Sequence, residues 1–167
     1  MGAYNTVKLK SYNDITEEYV AASATTPGYL IEITSAGKVQ NHSSSEGSVL
    51  PMFALEDNLQ GNGVDDDYAA DDQVQCWVPN RGDIVWAILA DGENASIGSF
   101  LESAGNGKLQ VHVADVSSFE SDQPVNITNY PQVIVGQALQ AVNISDSSGA
   151  ESSGDQGYDK RIKVRII

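Results

Sequence analysis

Residues 28–42 read GYLIEITSAGKVQNH, and residues 98–112 read GSFLESAGNGKLQVH. The two stretches align without a gap. Gly28 meets Gly98, Glu32 meets Glu102, Gly37 meets Gly107, Lys38 meets Lys108, Gln40 meets Gln110 and His42 meets His112. Leu30, Ile31 and Val39 pair with Phe100, Leu101 and Leu109, so those positions are apolar in both copies. Each copy is a short apolar run, a glycine-bearing turn and a second run that starts with Val or Leu. That order of signals reads as a β-hairpin. A looser echo follows each copy, Phe53-Ala54-Leu55-Glu56 after the first and Gln137-Ala138-Leu139-Gln140 after the second. The pattern predicts one all-β body built from two related, hairpin-containing halves.

The other segments fit that reading. Val74–Val78 and Ile84–Ala90 read as two strands around the turn Asn80-Arg81-Gly82-Asp83, and Val133–Val142 reads as another. Lys160–Ile167 alternates, with Ile162, Val164 and Ile166 on one face and Arg161, Lys163 and Arg165 on the other, as in a half-buried closing strand. Residues 1–27 differ in character and are expected to form an N-terminal arm. Tyr4–Lys10 alternates enough to be a strand. Asp14–Ala22 fits either a short helix, capped by Asp14 or Thr16 with acids in its first turn, or an extended segment. Residues 28–167 are then a single domain closed by the C-terminal strand, with a flexible loop at 143–159.

Composition narrows the function. The chain has 167 residues, enough for one domain with a real core. It carries 23 acidic and 9 basic residues, a net charge of −14. Binding nucleic acid phosphates or anionic lipid needs a basic face, so neither is an expected partner. Charge is unevenly spread. Residues 56–93 hold ten acids and one base, Arg81, while four of the nine basic residues fall in the last eight positions. No apolar run is long enough to span a membrane, and residues 1–27 lack the apolar stretch of a signal peptide.

Candidate chemistry is sparse. The lone cysteine, Cys76, excludes an intrachain disulfide and reads as a small core residue. Asp65, Asp67 and Asp71 are the best Ca²⁺ candidates, because that ion takes oxygen ligands from flexible loops. Their spacing fits no EF-hand, and a solvated acidic loop is the preferred reading. His42 and His112 occupy matching places but lack a marked third ligand. Arg81-Gly82-Asp83 is the integrin-read tripeptide, yet between two apolar strands it is simply a good turn. There is no nucleophile elbow and no phosphate loop, and no pair of carboxylates stands out. No enzymatic activity and no cofactor are expected.

Over residues 28–142 the chain resembles capsid decoration proteins of tailed bacteriophages, also called cement or head-stabilising proteins. The resembling pieces are Pro27–Glu32 with Gly37, Pro51–Asp57, Asp65–Tyr68, Pro79–Asp83, Asp91–Asn94, Ile97–Leu101 and Val135–Ala141. The resemblance implies a small β-barrel or β-tulip, usually trimeric, seated where several major capsid subunits meet. Its partners would be itself, as a homotrimer, and the major capsid protein. Its place would be the outside of the virion shell, after assembly in the host bacterial cytoplasm. Capsid contact is expected at Tyr4, Lys8, Lys10, Tyr12 and Tyr19. Self-association is expected at Ile84, Trp86, Ile88, Ile162, Val164 and Ile166, the runs that would leave apolar surface or a sheet edge for a partner. The competing class is a glycan- or calcium-binding β module on the virion surface.

Overall fold

Both quoted stretches form hairpins in the computed structural model, which describes residues 4–11, 15–113, 132–145 and 161–167. Among these residues there are thirteen strands and no helix. In chain order they are β1 (Lys8–Lys10), β2 (Ile15–Val20), β3 (Ile31–Ile33), β4 (Val39–Asn41), β5 (Phe53–Ala54), β6 (Gln73–Val78), β7 (Ile84–Ile88), β8 (Asn94–Ala95), β9 (Phe100–Ser103), β10 (Leu109–Val111), β11 (Ile134–Ala138), β12 (Val142–Asn143) and β13 (Arg161–Ile166). In the first hairpin β3 pairs with β4, with Ile33 opposite Val39. In the second β9 pairs with β10, with Ser103 opposite Leu109. Gly37 and Gly107 sit in the turns with φ of 73° and 80°, a region that side chains with a Cβ enter only at a cost.

The repeat extends well beyond the hairpins. In the first half β5 and β6 pair so that Ala54 faces Cys76, and β2 covers the other side of β6. In the second half β11 and β13 pair so that Ala138 faces Val164, and β7 covers the other side of β13. Matching backbone bonds recur: Gly28 N–H to Ala54 O (2.8 Å) and Gly98 N–H to Ala138 O (2.9 Å); Leu55 N–H to Gln75 O and Leu139 N–H to Lys163 O (both 2.8 Å). A parallel bridge joins Ala21 to Val39, and another joins Leu89 to Leu109, at equivalent places. Each half is therefore the same five-stranded module, β2–β6 and then β7, β9, β10, β11 and β13. One bridge stands where a full ladder would be needed to close each ring. The expected closed barrel is thus replaced, among the described residues, by open sheets that curl back on themselves.

Two apolar clusters follow from this geometry. The smaller one fills the first module with Ile31, Val39, Ala54, Val74 and Cys76. The larger one fills the second module and takes in Leu30, Phe53 and Trp77 from the first. Strand alternation sends Leu30 one way and Ile31 the other, and does the same for Phe53 and Ala54 and for Cys76 and Trp77. β5 is thereby buried on both faces, and so is β6 at Cys76 and Trp77. Phe53 and Trp77 have no exposed surface, and burying side chains of this size contributes roughly 1.5–3 kcal/mol each.

The described parts of residues 1–27 are built into this body, not held apart as an arm. β1 pairs with β7. Val7 is fully buried, its N–H donates to Glu56 Oε2 at 2.9 Å, and its C=O accepts from Trp86 N–H at 2.7 Å. The helix allowed by the sequence at 14–22 is a strand over Ile15–Val20, registered residue by residue on β6. Pairing along its whole length outweighs the short helix-start signal, because an isolated helix of that length is marginal in water. Tyr12, residues 114–131 and most of the expected loop 143–159 lie outside the described residues.

Candidate functional site

The matched glutamates of the repeat make the same bond in both hairpins. In each hairpin the Gln on the second strand donates to the Glu on the first: Gln40 Nε2 to Glu32 Oε1 at 2.8 Å, and Gln110 Nε2 to Glu102 Oε1 at 2.9 Å. The histidines then diverge. His112 is half-buried, with Nδ1 2.5 Å from Oε2 of the buried Glu102. His42 is buried instead, while Glu32 is half-exposed. His42 Nδ1 lies 2.7 Å from Ser103 Oγ, and Nε2 lies 3.3 Å from Ser48 O and 3.7 Å from Glu32 Oε2.

Ser103, His42 and Glu32 thus stand in the order nucleophile, base and acid. A nucleophile must reach a substrate, however, and Ser103 has no exposed surface. Its Oγ also accepts from Gly105 N–H at 3.1 Å. These three residues fasten the second hairpin to the first.

Partial burial pushes the Glu32 carboxyl upward, but hydrogen bonds from Gln40 and Ser43 and the neighbouring His42 outweigh it. The net position is below the ordinary glutamate value. A carboxylate depressed on folding contributes stability that is complete above its unfolded pKa. That stability is lost as pH falls through the folded one. Urea melts of wild type and Glu32→Gln are expected to differ at neutral pH and to converge as acid protonates Glu32. A gap that stays constant with pH would contradict this.

In the acidic loop the candidate Ca²⁺ ligands have separate partners. Asp65 Oδ1 lies 3.6 Å from Arg161 Nη2, and Asp71 Oδ1 pairs with Lys38 Nζ at 2.6 Å. Asp66 and Asp72 accept the Gly63 and Ala69 N–H groups, both at 2.7 Å, and so build turns. Asp67 borders a polar cavity of about 150 Å³ shared with Asp57, Asp66, Tyr68 and Asp72. Asp65, Asp67 and Asp71 are thus divided among separate surroundings. Among the described residues no group of three or more His, Cys, Asp or Glu could hold a metal ion.

Burial raises the Cys76 thiol to about 12 and leaves it without exposed surface. Because the thiolate is the reactive form, iodoacetamide should leave native Cys76 unmodified and label it only in denaturant. Mass spectrometry reads this directly, and rapid native labelling would overturn the core assignment. In the Arg81-Gly82-Asp83 turn Asp83 is buried and its Oδ2 accepts Asn80 N–H at 2.7 Å. That segment is the turn the sequence implied.

The expected self-association surface is not on the outside of this chain. Trp86, Ile88, Ile162, Val164 and Ile166 are buried, and Ile84 is half-buried. Their strands β7 and β13 lie inside the order β1-β7-β13-β11-β9-β10, with neighbours on both sides. The alternating pattern identified the buried face of β13 correctly, but the second module itself covers that face. Arg161, assigned to the polar side, is also buried. Its Nη1 donates to Pro27 O at 2.9 Å and its Nη2 to Val64 O at 2.6 Å.

Of the expected capsid-contact residues, all but Tyr12 lie among the described residues. Tyr4 packs edge-on against Trp86 at 5.3 Å with Lys163 Nζ 4.5 Å from its ring centre, and Lys8 Nζ lies 5.3 Å from the Trp77 ring. Lys10 is exposed. Tyr19 donates to Glu17 Oε2 at 2.6 Å. Large apolar side chains do reach the surface, at Leu50, Leu59, Ile97 and Val113.

No protein-family model matches the chain, and no curated protein matches it in sequence. A solved structure shares its fold: the head fiber gp8.5 N base in bacteriophage phi29, with a TM-score of 0.52 at 11% identity, covering 93% of this chain and 95% of that one. The likeness spans both modules and is one of all-β architecture. No helix of the described residues is long and apolar enough to cross a membrane.

Proposed function

We propose that this chain is a structural protein of a bacteriophage head, that it binds the outer surface of the capsid as a trimer, and that it stabilises the shell by bridging major capsid subunits. The observation that carries the reading is the fold shared, over nearly the full length of both chains, with the base of a phage head fiber. The surroundings of the reactive side chains support it further. Ser103, Cys76 and Glu102 are buried and engaged in packing or hydrogen bonds. Multivalency supplies the mechanism: a trimer that engages equivalent sites gains avidity without a tight single contact.

The test combines light scattering on the purified chain with co-sedimentation on expanded capsids of the parent phage. A trimer that pellets with the shells is expected. A monomer that stays in the supernatant overturns the proposal.

A further inference from the structure

The two modules differ at one edge. In the second, β7 is flanked on its outer side by β1. In the first, the equivalent strand β2 ends the sheet β2-β6-β5, and among the described residues no strand pairs with its outer side. The equivalence fixes the register. Ala54 faces Cys76 and Ala138 faces Val164, Cys76 faces Glu17 and Val164 faces Val85, so Thr16, Glu17 and Glu18 correspond to Ile84, Val85 and Trp86. Trp86 N–H donates outward to Val7 O at 2.7 Å, with Lys8 opposite Val85 and Lys10 opposite Ile84. The N–H of Glu18 therefore points away from β6, and the module has a place for a sixth strand that, among the described residues, the first half leaves open.

We propose that the outer edge of β2 receives an extended strand bearing lysines or arginines from a different protein, and so completes the first module as β1 completes the second. Three observations select this occupant. Ile15, Thr16, Glu17 and Glu18 are exposed, so the edge is accessible along its first four residues. Glu17 and Glu18 make it acidic, and opposite charges across a strand pair are favourable while like charges are not. A second copy's β2 would set glutamates against glutamates, and the chain's own β1 is held on β7 by the burial of Val7. The sixth strand already present, Val7-Lys8-Leu9-Lys10, is itself apolar and basic in alternation. Strand addition of this kind takes affinity from main-chain bonds and selectivity from side chains. The inference goes beyond the capsid reading and stands without it.

The probe is a synthetic capped peptide of residues 4–11, YNTVKLKS, titrated into the full-length ¹⁵N-labelled chain and followed by NMR. Shift changes and slowed hydrogen exchange are expected at the amides of Thr16, Glu18 and Val20, but not at those of Ile15, Glu17 and Tyr19. A peptide with both lysines replaced by glutamate should bind at least about tenfold more weakly. Glu18→Pro, tolerable on an edge, should abolish the response. The glutamate peptide keeps the test sound if that variant fails to fold.

No change along β2, changes confined to β7, or equal binding of the two peptides would overturn the proposal. Concentration-dependent changes at β2 without peptide would overturn it too, by identifying a second copy as the occupant.

Discussion

Replacing Arg161 with alanine should destabilise the protein more than any surface charge change. Its guanidinium is almost fully buried and reaches Pro27 O and Val64 O, 134 and 97 residues away in sequence. It therefore joins the start of the last strand to the β2–β3 and β5–β6 loops of the first module. Truncation leaves two buried carbonyls without their donor and opens space where a long side chain lay. A hydrogen bond to a charged group contributes about 1.5–3 kcal/mol, and an orphaned buried acceptor costs a similar amount. We expect a loss of about 3–5 kcal/mol in denaturant melts.

At roughly 2–4 °C per kcal/mol for a chain of this size, Tm should fall by about 6–20 °C. Arg161→Met keeps most of the volume and isolates the hydrogen-bond part of the loss. Asp65→Asn should cost under about 1 kcal/mol, since that carboxylate is part-exposed and 3.6 Å away. Near-equal effects of Arg161→Ala and Asp65→Asn would mean that the guanidinium is held by charge pairing alone, and the account would fail.

What the sequence revealed and what it hid divide along one physical line. Periodicity reports which face of a strand is apolar, so both hairpins and the buried face of Ile162, Val164 and Ile166 could be read from it. Even the weak echo at Phe53–Glu56 and Gln137–Gln140 proved to mark equivalent positions, because Ala54 and Ala138 make the same backbone bonds in the two modules. Periodicity does not report what covers a face. An apolar stripe can be buried by a partner or by the rest of the same chain, and Ile162 and Val164, in one cluster with Leu30, Phe53 and Trp77, belong to the second case. Nor does it separate a strand from a short helix when six residues carry both signals, as Ile15–Val20 does.

Burial of a charged group was the least visible of all. Arg161 sits in an alternating strand beside Lys163 and Arg165, and nothing local distinguishes it from them. Its role depends on carbonyls supplied by Pro27 and Val64, which only the fold brings near. The surroundings of the candidate Ca²⁺ ligands were hidden for the same reason: Asp65, Asp67 and Asp71 are close in sequence, yet each has a different neighbour.

The repeat supplies its own control for the second large effect. Gly37 and Gly107 are equivalent in sequence, occupy equivalent turns and have nearly the same φ, 73° and 80°. Alanine at either position carries the cost of a left-handed backbone, about 1–2 kcal/mol. Around Gly37 a Cβ would meet nothing within 4 Å. At Gly107 it would lie 2.9 Å from Tyr29 Cδ2 and 3.1 Å from Asn41 Cβ. The turn cannot easily back away, because Gly107 O accepts Leu30 N–H at 2.7 Å and Gly107 N–H donates to His42 O at 3.2 Å. The second hairpin is thus seated on the base of the first, and Gly107 is the point of contact.

Overpacking at such a point adds roughly 1–3 kcal/mol. Gly37→Ala should therefore lose about 1–2 kcal/mol and Gly107→Ala about 2–5 kcal/mol, measured side by side in urea. The difference between the two isolates the cost of crowding the contact between the hairpins, since the turn conformation cancels. Equal losses would mean that the hairpins are independent of one another. The Ser103–His42 contact would then have to be explained without a docked second hairpin.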